Sequence, residues 1–324
     1  MDGVTVTIYR SKSELPHTDD ANFFHSSVLF RIYEQTPRMS PCMVTATTAD
    51  GVVTAHILAV VRYRFSLFPP YIYGHCRVLG EGVYDMPERK DELFGAMLSA
   101  LTAEMQGRAL YIEFSHLSKK MFGYKQFHDN GYFPVKWMSV HNSLHSKSPE
   151  KRVGARTLRR IEHGLRRGAA VSEVSSEDDF AAFMSLMRAH HISKPKRYIP
   201  DKRFFRGLMD SGRGKLFVTK YKGMTIGCCA CAYSEGNAYL WYTAFKRKTF
   251  ARLHPDAVTV WHAIKTAYAE GCAHIFFMDV GLPFRRNAFR EFILRFGGKP
   301  ESTYRYFRFS MRWLNGMARA VWHG

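Results

Sequence analysis

What most constrains this chain is an order of parts that occurs twice along its 324 residues. In the first half, β-branched and alternating runs predict strands at 4–9, 43–48 and 52–64. The last two are joined by Asp50-Gly51, a dipeptide suited to a tight hairpin. Helical spacing predicts helices over 21–33 and 87–105, the second with Leu93, Met97, Leu98 and Leu101 on one face. A buried-type strand at 110–114, a helix at 122–130 stopped by Asn130-Gly131, and a strand at 135–144 complete the half. The second half repeats the order: helices at 155–167, 178–190 and 202–209, then strands at 215–220, 225–233 and 237–245. A helix at 257–270 follows, with Asp256 as its cap and Gly271 past its end. A strand at 274–280, a helix at 287–296, a strand at 304–309 and a helix at 313–322 close the chain. Ser176 and Asp179 have capping-box spacing for the 178–190 helix. Duplication of this kind predicts a mixed α/β fold of two tandem domains, each a mainly antiparallel sheet flanked by helices. The polar stretch 145–150 puts the boundary between 1–147 and 148–324.

Charge divides along the same line. Of 47 Lys and Arg and 28 Asp and Glu, residues 151–324 hold 32 and 13, so the first 150 residues are balanced and the second half carries the whole excess of +19. That asymmetry favours encounter with phosphate-rich partners, or else only makes a soluble basic surface. No window approaches the ~18 apolar residues of a membrane span. The first residues lack the basic and apolar regions of a signal peptide, so the expected location is the cytoplasm. Cys42, Cys76, Cys228, Cys229, Cys231 and Cys272 lie in apolar, strand-like surroundings, where reduced cysteine packs as a small hydrophobe. Cys228, Cys229 and Cys231 lack the paired spacing of a four-ligand site, and no metal is expected.

Several segments look like those of one family. The Arg-rich run from Thr157 to Gly168 is similar to the helix opening that family's second domain. His190-His191 with Pro195, Tyr198 and Pro200 resembles the segment after it, and Gly223 to Gly227 with Trp241-Tyr242 its central meander. Trp261, Ile264, Gly271, Phe277, Asp279 and Gly281 look like its W-x-x-I…G…F-D-x-G signature; Phe292 to Gly298 looks like its closing F-K…F-G-G. In the first half, Tyr124 to Phe127 with Asn130-Gly131-Tyr132 resembles a Gly-aromatic element of both domains. In this order the segments resemble the FemABX family of peptidoglycan bridge-forming aminoacyltransferases, and the resemblance implies tandem GNAT-like domains. It also implies transfer of an aminoacyl group from aminoacyl-tRNA, or of an acyl group, onto an amine of a cell-envelope precursor. Two departures stand out: Ile293 occupies the place of the family lysine, and the connections leave no room for a coiled-coil arm.

For such chemistry, orientation and oxyanion stabilisation supply most of the rate, and a dedicated base is optional. The expected catalytic residues are Asp279, at the end of a buried strand, and Arg295, which with Arg290 could take the charge role left by Ile293. Arg156, Arg159 and Arg160, with Arg166 and Arg167, share a broad helix face that suits phosphate; the alternative is a solvated basic helix. Lys246, Arg247, Lys248 and Arg252 precede the first amides of the 257–270 helix, a combination able to bind an anion. His191 and Tyr198 adjoin the proline-punctuated loop. Strict alternation lets only one of Trp241 and Tyr242 face the core, the other lining a pocket. Arg285 and Asn287 follow Gly281 in a loop suited to a carboxylate or phosphate. Residues 245–256 hold no glycine, unlike the loop with which GNAT enzymes wrap the CoA pyrophosphate.

The expected enzyme therefore binds no cofactor tightly and uses aminoacyl-tRNA or an acyl thioester as co-substrate. Its acceptor would be a lipid-linked envelope precursor at the inner membrane surface, met without transmembrane insertion. A CoA- or acyl-carrier-dependent GNAT enzyme acting on a sugar or lipid amine, and a catalytically silent RNA- or envelope-binding protein, are the alternatives. The final helix, with Trp313, Leu314, Met317, Val321 and Trp322 beside Arg312 and Arg319, either packs on its own domain, the default, or rests on a membrane.

Overall fold

A computed structural model describes residues 3–67, 70–115, 122–192 and 198–322; the side chains of Leu67 and His191 lie outside the description. The chain forms two compact units, residues 1–137 with 303–324, and residues 138–302. The C-terminal segment thus groups with the first unit, whereas the sequence pattern drew a single boundary after residue 147.

Unit 1 begins with β1 (Val4–Tyr9), a 3-10 turn at Phe23–His25 and α1 (Ser27–Glu34). Ser26 breaks the single helix expected over 21–33, because its hydroxyl accepts from the Leu29 amide and starts α1 afresh. An antiparallel meander follows: β2 (Met39–Thr48), β3 (Val53–Leu67) and β4 (Pro70–Leu79). Short β5 (Val83–Tyr84) pairs with β3, α2 (Lys90–Glu104) crosses over, and β6 (Tyr111–Ser115) lies parallel to β4. α3 (Tyr124–Asp129) precedes β7 (Phe133–Ser143), which from Met138 onward belongs to unit 2.

Unit 2 continues with α4 (Ala155–Arg166), β8 (Ala170–Glu173), α5 (Glu177–Ile192) and α6 (Lys202–Asp210). Its meander is β9 (Gly214–Tyr221), β10 (Met224–Ser234) and β11 (Asn237–Phe245). Then α7 (Pro255–Ala269) crosses over to β12 (His274–Phe277), parallel to β11, and α8 (Ala288–Leu294) leads to β13 (Lys299–Phe309). β13 returns to unit 1 beside β6, and α9 (Arg312–Trp322) ends the chain. Each unit therefore contains the same core motif, a three-stranded meander whose last strand is joined through a long helix to a parallel neighbour.

Each sheet carries its own core. In unit 1, Val44, Ile57, Val61, Cys76, Ile112 and Phe114 meet Phe94, Met97, Leu98 and Leu101 of α2. In unit 2, Cys229, Cys231, Leu240 and Ile275 meet Val260, Ile264 and Ala267 of α7. All six cysteines are free and buried, and among the described residues no group of His, Cys, Asp and Glu is arranged to hold a metal. No helix among them is long and apolar enough to cross a membrane.

The opposite face of the unit 1 sheet carries a buried polar network instead. Glu113 on β6 accepts from Arg305 on β13 at 2.7 Å and from Ser115 at 3.0 Å. His75 on β4 touches it through Nε2 at 2.9 Å, while its Nδ1 meets Arg62 of β3 at 2.9 Å. Since arginine can only donate, Nδ1 accepts and the His75 proton sits on Nε2, toward Glu113. Burial pushes His75 down to about 3, and Arg77 and Arg305 hold Glu113 well below the usual carboxylate range against the cost of burial. Four neighbouring strands are thus tied through one carboxylate.

His25, also wholly buried, is likewise pushed down to about 3. An unfolded histidine takes its proton near pH 6.5, whereas these two stay neutral until about pH 3. Between those values the unfolded state binds more protons, so stability falls as pH falls, by about 1 kcal/mol per pH unit for each histidine. Glu113 adds to the loss below the ordinary carboxylate range. Urea midpoints measured from pH 7 to pH 4.5 should decline throughout, and His75→Gln should make the decline shallower.

Candidate functional site

In unit 2 the parallel pairing of β11 and β12 runs only from Asn237 with His274 to Leu240 with Phe277. The Met278 amide still reaches the Leu240 carbonyl at 3.1 Å. Asp279 then adopts a left-handed φ of 59° and the chain turns off the sheet, so the strand expected over 274–280 ends at Phe277. β11, meanwhile, continues along β10 to the pairing of Phe245 with Gly227. The two strands diverge: beyond Leu240 the pairing of β11 runs on along β10 while β12 turns away, which parts the sheet beside Trp241 to Phe245.

A bulge shapes that length. β10 pairs Cys231 with Leu240 and then Ala230 with Tyr242, so Trp241 is the extra residue. A bulge interrupts the in-out alternation of a strand. Trp241 and Tyr242 consequently stack on each other at 5.6 Å, and both contact Phe204 of α6, at 5.3 and 6.0 Å. The expectation that only one could face this way fails because it assumed a regular strand. At the end of β11, Phe245 meets His190 at 6.4 Å, and the Arg247 guanidinium lies 5.8 Å from the Phe292 ring of α8.

The loop leaving β12 is built around Arg290. Its guanidinium donates to the carbonyls of Leu282 and Arg285 at 2.7 Å each and also reaches Val280 and Pro283. Asn287 caps α8, its side-chain oxygen accepting from the Phe289 and Arg290 amides at 3.0 and 3.1 Å. Arg285 and Asp279 are exposed beside this loop. Ile293 is completely buried in the unit 2 core, so the position where the related family has lysine here supplies packing. Arg295 is exposed just past α8, and its carbonyl is held by the Gly154 amide at the start of α4. The following Gly297 and Gly298 permit close approach: a Cβ would lie 2.5 Å from the Arg152 carbonyl at the first and 2.8 Å from Val140 at the second.

A basic surface begins where β11 ends. α4 buries only Thr157, Ile161 and Gly164, a narrow stripe against α7 and the turn before it. Gly164 is needed there, because a Cβ would stand 2.3 Å from the Leu253 carbonyl. That packing leaves Arg156, Arg159, Arg166 and Arg167 exposed and turns half-buried Arg160 toward His254. Arg167, Lys248 and Arg252 line a groove of about 450 Å³ with Tyr221 and Phe250. His254, at φ 45°, and His163 add rings 6.2 Å apart; burial and the charge of Arg160 lower His254. No motif flagged the two histidines, although the bend before Pro255-Asp256 was a signal.

The start of α7 differs from the expectation. The helix begins at Pro255, not 257, with His254 as its cap. Asp256, inside the first turn, accepts from the Ala257 amide at 2.9 Å and pairs with Arg247 at 2.8 Å. A carboxylate of the chain itself thus occupies the positive end of the helix, and Arg247 is committed to it. Lys246, Lys248 and Arg252 remain exposed around it. Tyr198 is half-buried, and the side chain of His191 lies outside the described residues.

Residues 154–286 match the family model described as an acetyltransferase (GNAT) domain. This part of the chain is similar to GNAT domains. Over its whole length the chain has the fold of FemX: 96% of each chain is covered, with a TM-score of 0.64 and 11% identity. L-PGS from Bacillus licheniformis matches over 91% of this chain and 90% of its own, with TM-score 0.59 and 12% identity. A tandem GNAT protein from the clavulanic acid biosynthesis pathway matches over 88% of both chains, with TM-score 0.55 and 8% identity. No curated protein matches the sequence. The tandem GNAT-like fold expected from the motifs is therefore the fold observed.

Arg290 makes the loop of 280–286 testable without knowledge of a substrate. Arg285 and Arg286 are exposed trypsin sites within it. In Arg290→Ala the four carbonyls lose their shared donor, and cleavage after Arg285 and Arg286 should accelerate about tenfold, the effect of ~1.4 kcal/mol of lost local protection. Unchanged peptide-release rates would show that the loop is held by other means.

Proposed function

We propose that this protein transfers an aminoacyl group from aminoacyl-tRNA onto an amine of a cell-envelope precursor, with the opening beside β11 as the reaction site. The observation that carries the reading is the divergence of β11 from β12 at Leu240, in a chain that shares the fold of FemX end to end. An extended acyl donor can lie along β11 where β12 has left, as a peptide adds to a sheet edge, with Trp241 and Tyr242 walling one side. The amine attacks the ester carbonyl, and the developing oxyanion needs donors fixed in advance. Asp279 and Arg295, exposed on either side of α8, are the candidates for receiving the amine and balancing that charge. Arg285 stands by for an acidic group of the acceptor.

The start of α7 favours tRNA over CoA as donor. GNAT-type pyrophosphate wrapping uses free amides at this helix, but Asp256 takes the Ala257 amide and adds negative charge there. The phosphates of an RNA backbone instead suit the spread of Arg156, Arg159, Arg160, Arg167, Lys248 and Arg252 over α4 and the adjoining groove. An acyl thioester remains the second donor class, and the protein holds no cofactor in either reading.

α9 points to a membrane-borne acceptor. Its default was packing on its own domain, yet none of its residues is buried. Asn315 fixes it to unit 1 through the Phe309 amide and the Gly131 carbonyl, both at 2.9 Å. On its outer side Trp313, Met317 and Val321 are 64%, 61% and 74% exposed. Arg312 and Arg319 flank them, and the helix holds no acidic residue. That combination suits an anionic lipid surface. It also agrees with the name of a second structural neighbour, a putative lysylphosphatidylglycerol synthetase from Agrobacterium fabrum, which states a lipid product for that protein.

Purified protein given a mixed pool of radiolabelled aminoacyl-tRNA and lipid-linked peptidoglycan precursor should move label into the lipid fraction. Failure with competent precursor would shift the donor to an acyl thioester. Arg159→Ala with Arg160→Ala should weaken donor binding at least about tenfold, as loss of two phosphate contacts implies, while leaving the urea midpoint unchanged. Trp313→Ser with Met317→Ser should abolish sedimentation with vesicles containing phosphatidylglycerol; binding unchanged by the substitutions would remove α9 from membrane contact.

A further inference from the structure

Unit 1 contains a site of opposite character to the basic surface of unit 2. Along β3, Ala55, Ile57, Ala59 and Val61 face the helical core, so His56 and Leu58 face the other side. There the Leu58 amide meets His25 at 3.0 Å, and the chain before α1 forms a wall. A cavity of about 470 Å³ lies at this wall, lined by His17, Thr18, Asp19, Val53, His56 and Asp85 among others.

His56 is 2% exposed, between β2 and β5. One ring nitrogen is engaged by the backbone of His25, while Nε2 has no hydrogen-bond partner. Burial lowers its affinity for a proton, which favours the neutral ring. With its one N–H at His25, a neutral ring presents Nε2 as a buried acceptor. Thr18, 7% exposed, lines the same cavity with its hydroxyl also unmatched. The charges of Asp85 and Asp19 act on His56 from the cavity, followed by Asp20. Asp19 uses one oxygen on the Ala21 amide, and Asp20 is engaged by Ser27.

The occupant must donate a hydrogen bond to Nε2 and satisfy carboxylates. An anion fails on charge, and a neutral molecule makes no use of Asp19 and Asp85. A metal ion is disfavoured because no group of three possible ligands is assembled among the described residues. A primary ammonium meets both demands, since its three N–H bonds can reach an imidazole nitrogen and carboxylates together. We propose that this cavity binds the ammonium group of a small amine or amino acid, with His56 as acceptor and Asp19 and Asp85 as counter-charges. The proposal stands independently of the transferase reading.

The test uses the full chain labelled with ¹⁵N-histidine and titrated with 1,4-diaminobutane, with 1,4-butanediol as the uncharged probe. The His56 Nε2 resonance should move upfield saturably with the diamine and stay in place with the diol. Asp85→Asn, at an exposed side chain, should weaken diamine binding about tenfold, the loss of one charge-assisted contact, with the other histidine resonances unmoved. No saturable shift, or an equal response to the diol, would reduce the site to a solvent-filled notch. Undiminished binding by both Asp85→Asn and Asp19→Asn would equally overturn the assignment.

Discussion

Much of unit 2 follows from a parallel strand pair that is too short. Parallel neighbours require a crossover, and α7 supplies it, burying Val260, Ile264 and Ala267 over the sheet. The crossover holds β12 beside β11 for four residue pairs and then lets it go, because Asp279 turns left-handed where a strand would continue. Everything argued about chemistry lies downstream of that release: the opening, the Arg290-centred loop that keeps β12's exit away from β11, and the Phe292 contact that brings Arg247 to its end. The bulge at Trp241 works with it, since a regular strand would turn one of the two aromatic rings away from α6.

The two units use charge in different ways. In unit 1 the charges are inside, where Glu113 binds partners from β4, β6 and β13 and His75 carries the network on to β3. A buried carboxylate of this kind survives only with its desolvation offset by several donors, and removing one partner costs more than the bond alone. In unit 2 the arginines are outside, because α4 attaches by a stripe as narrow as Thr157, Ile161 and Gly164. A helix that buries so little can devote most of its circumference to solvent, and here it devotes it to guanidinium groups. The asymmetry of charge along the sequence is therefore also an asymmetry of burial.

Much of this was legible in the residues. The duplicated order, the Asp50-Gly51 hairpin, the Ser176 cap and the Arg-rich helix all have local causes, and the Ser176 hydroxyl does accept from the Asp179 amide at 3.1 Å. β4 was not legible: Gly74, His75 and Arg77 break any apolar pattern, since its polar residues serve the Glu113 network on β6 and β13, far along the chain. Gly74 itself is there because a Cβ would stand 2.3 Å from the Arg108 carbonyl. The bulge at Trp241 and the left-handed turn at Asp279 were equally hidden, as both depend on which strand lies alongside. Their setting in the sequence marks Asn287 and Asp256 as binding or capping positions, but which amides they engage is decided by the folded chain.

Asp256 bears most directly on what the opening can accept. A helix N-terminus beside a diverging strand pair is an anion site in waiting, and an enzyme that uses it for a donor's pyrophosphate must leave its first amides bare. Here the carboxylate accepts from Ala257, and Arg247 neutralises it while spanning to Phe292. A diphosphate would have to displace an internal ion pair and bring its own negative charge beside Asp256. The remaining cations, Lys248, Arg252, Arg160 and Arg167, lie around that point, spaced over two elements. Such spacing serves a long polyanion touching many places better than a compact one seated in a single cradle. The proposed choice of an extended, RNA-sized donor over a compact diphosphate rests on this carboxylate at the helix start and on the spread of charge around it.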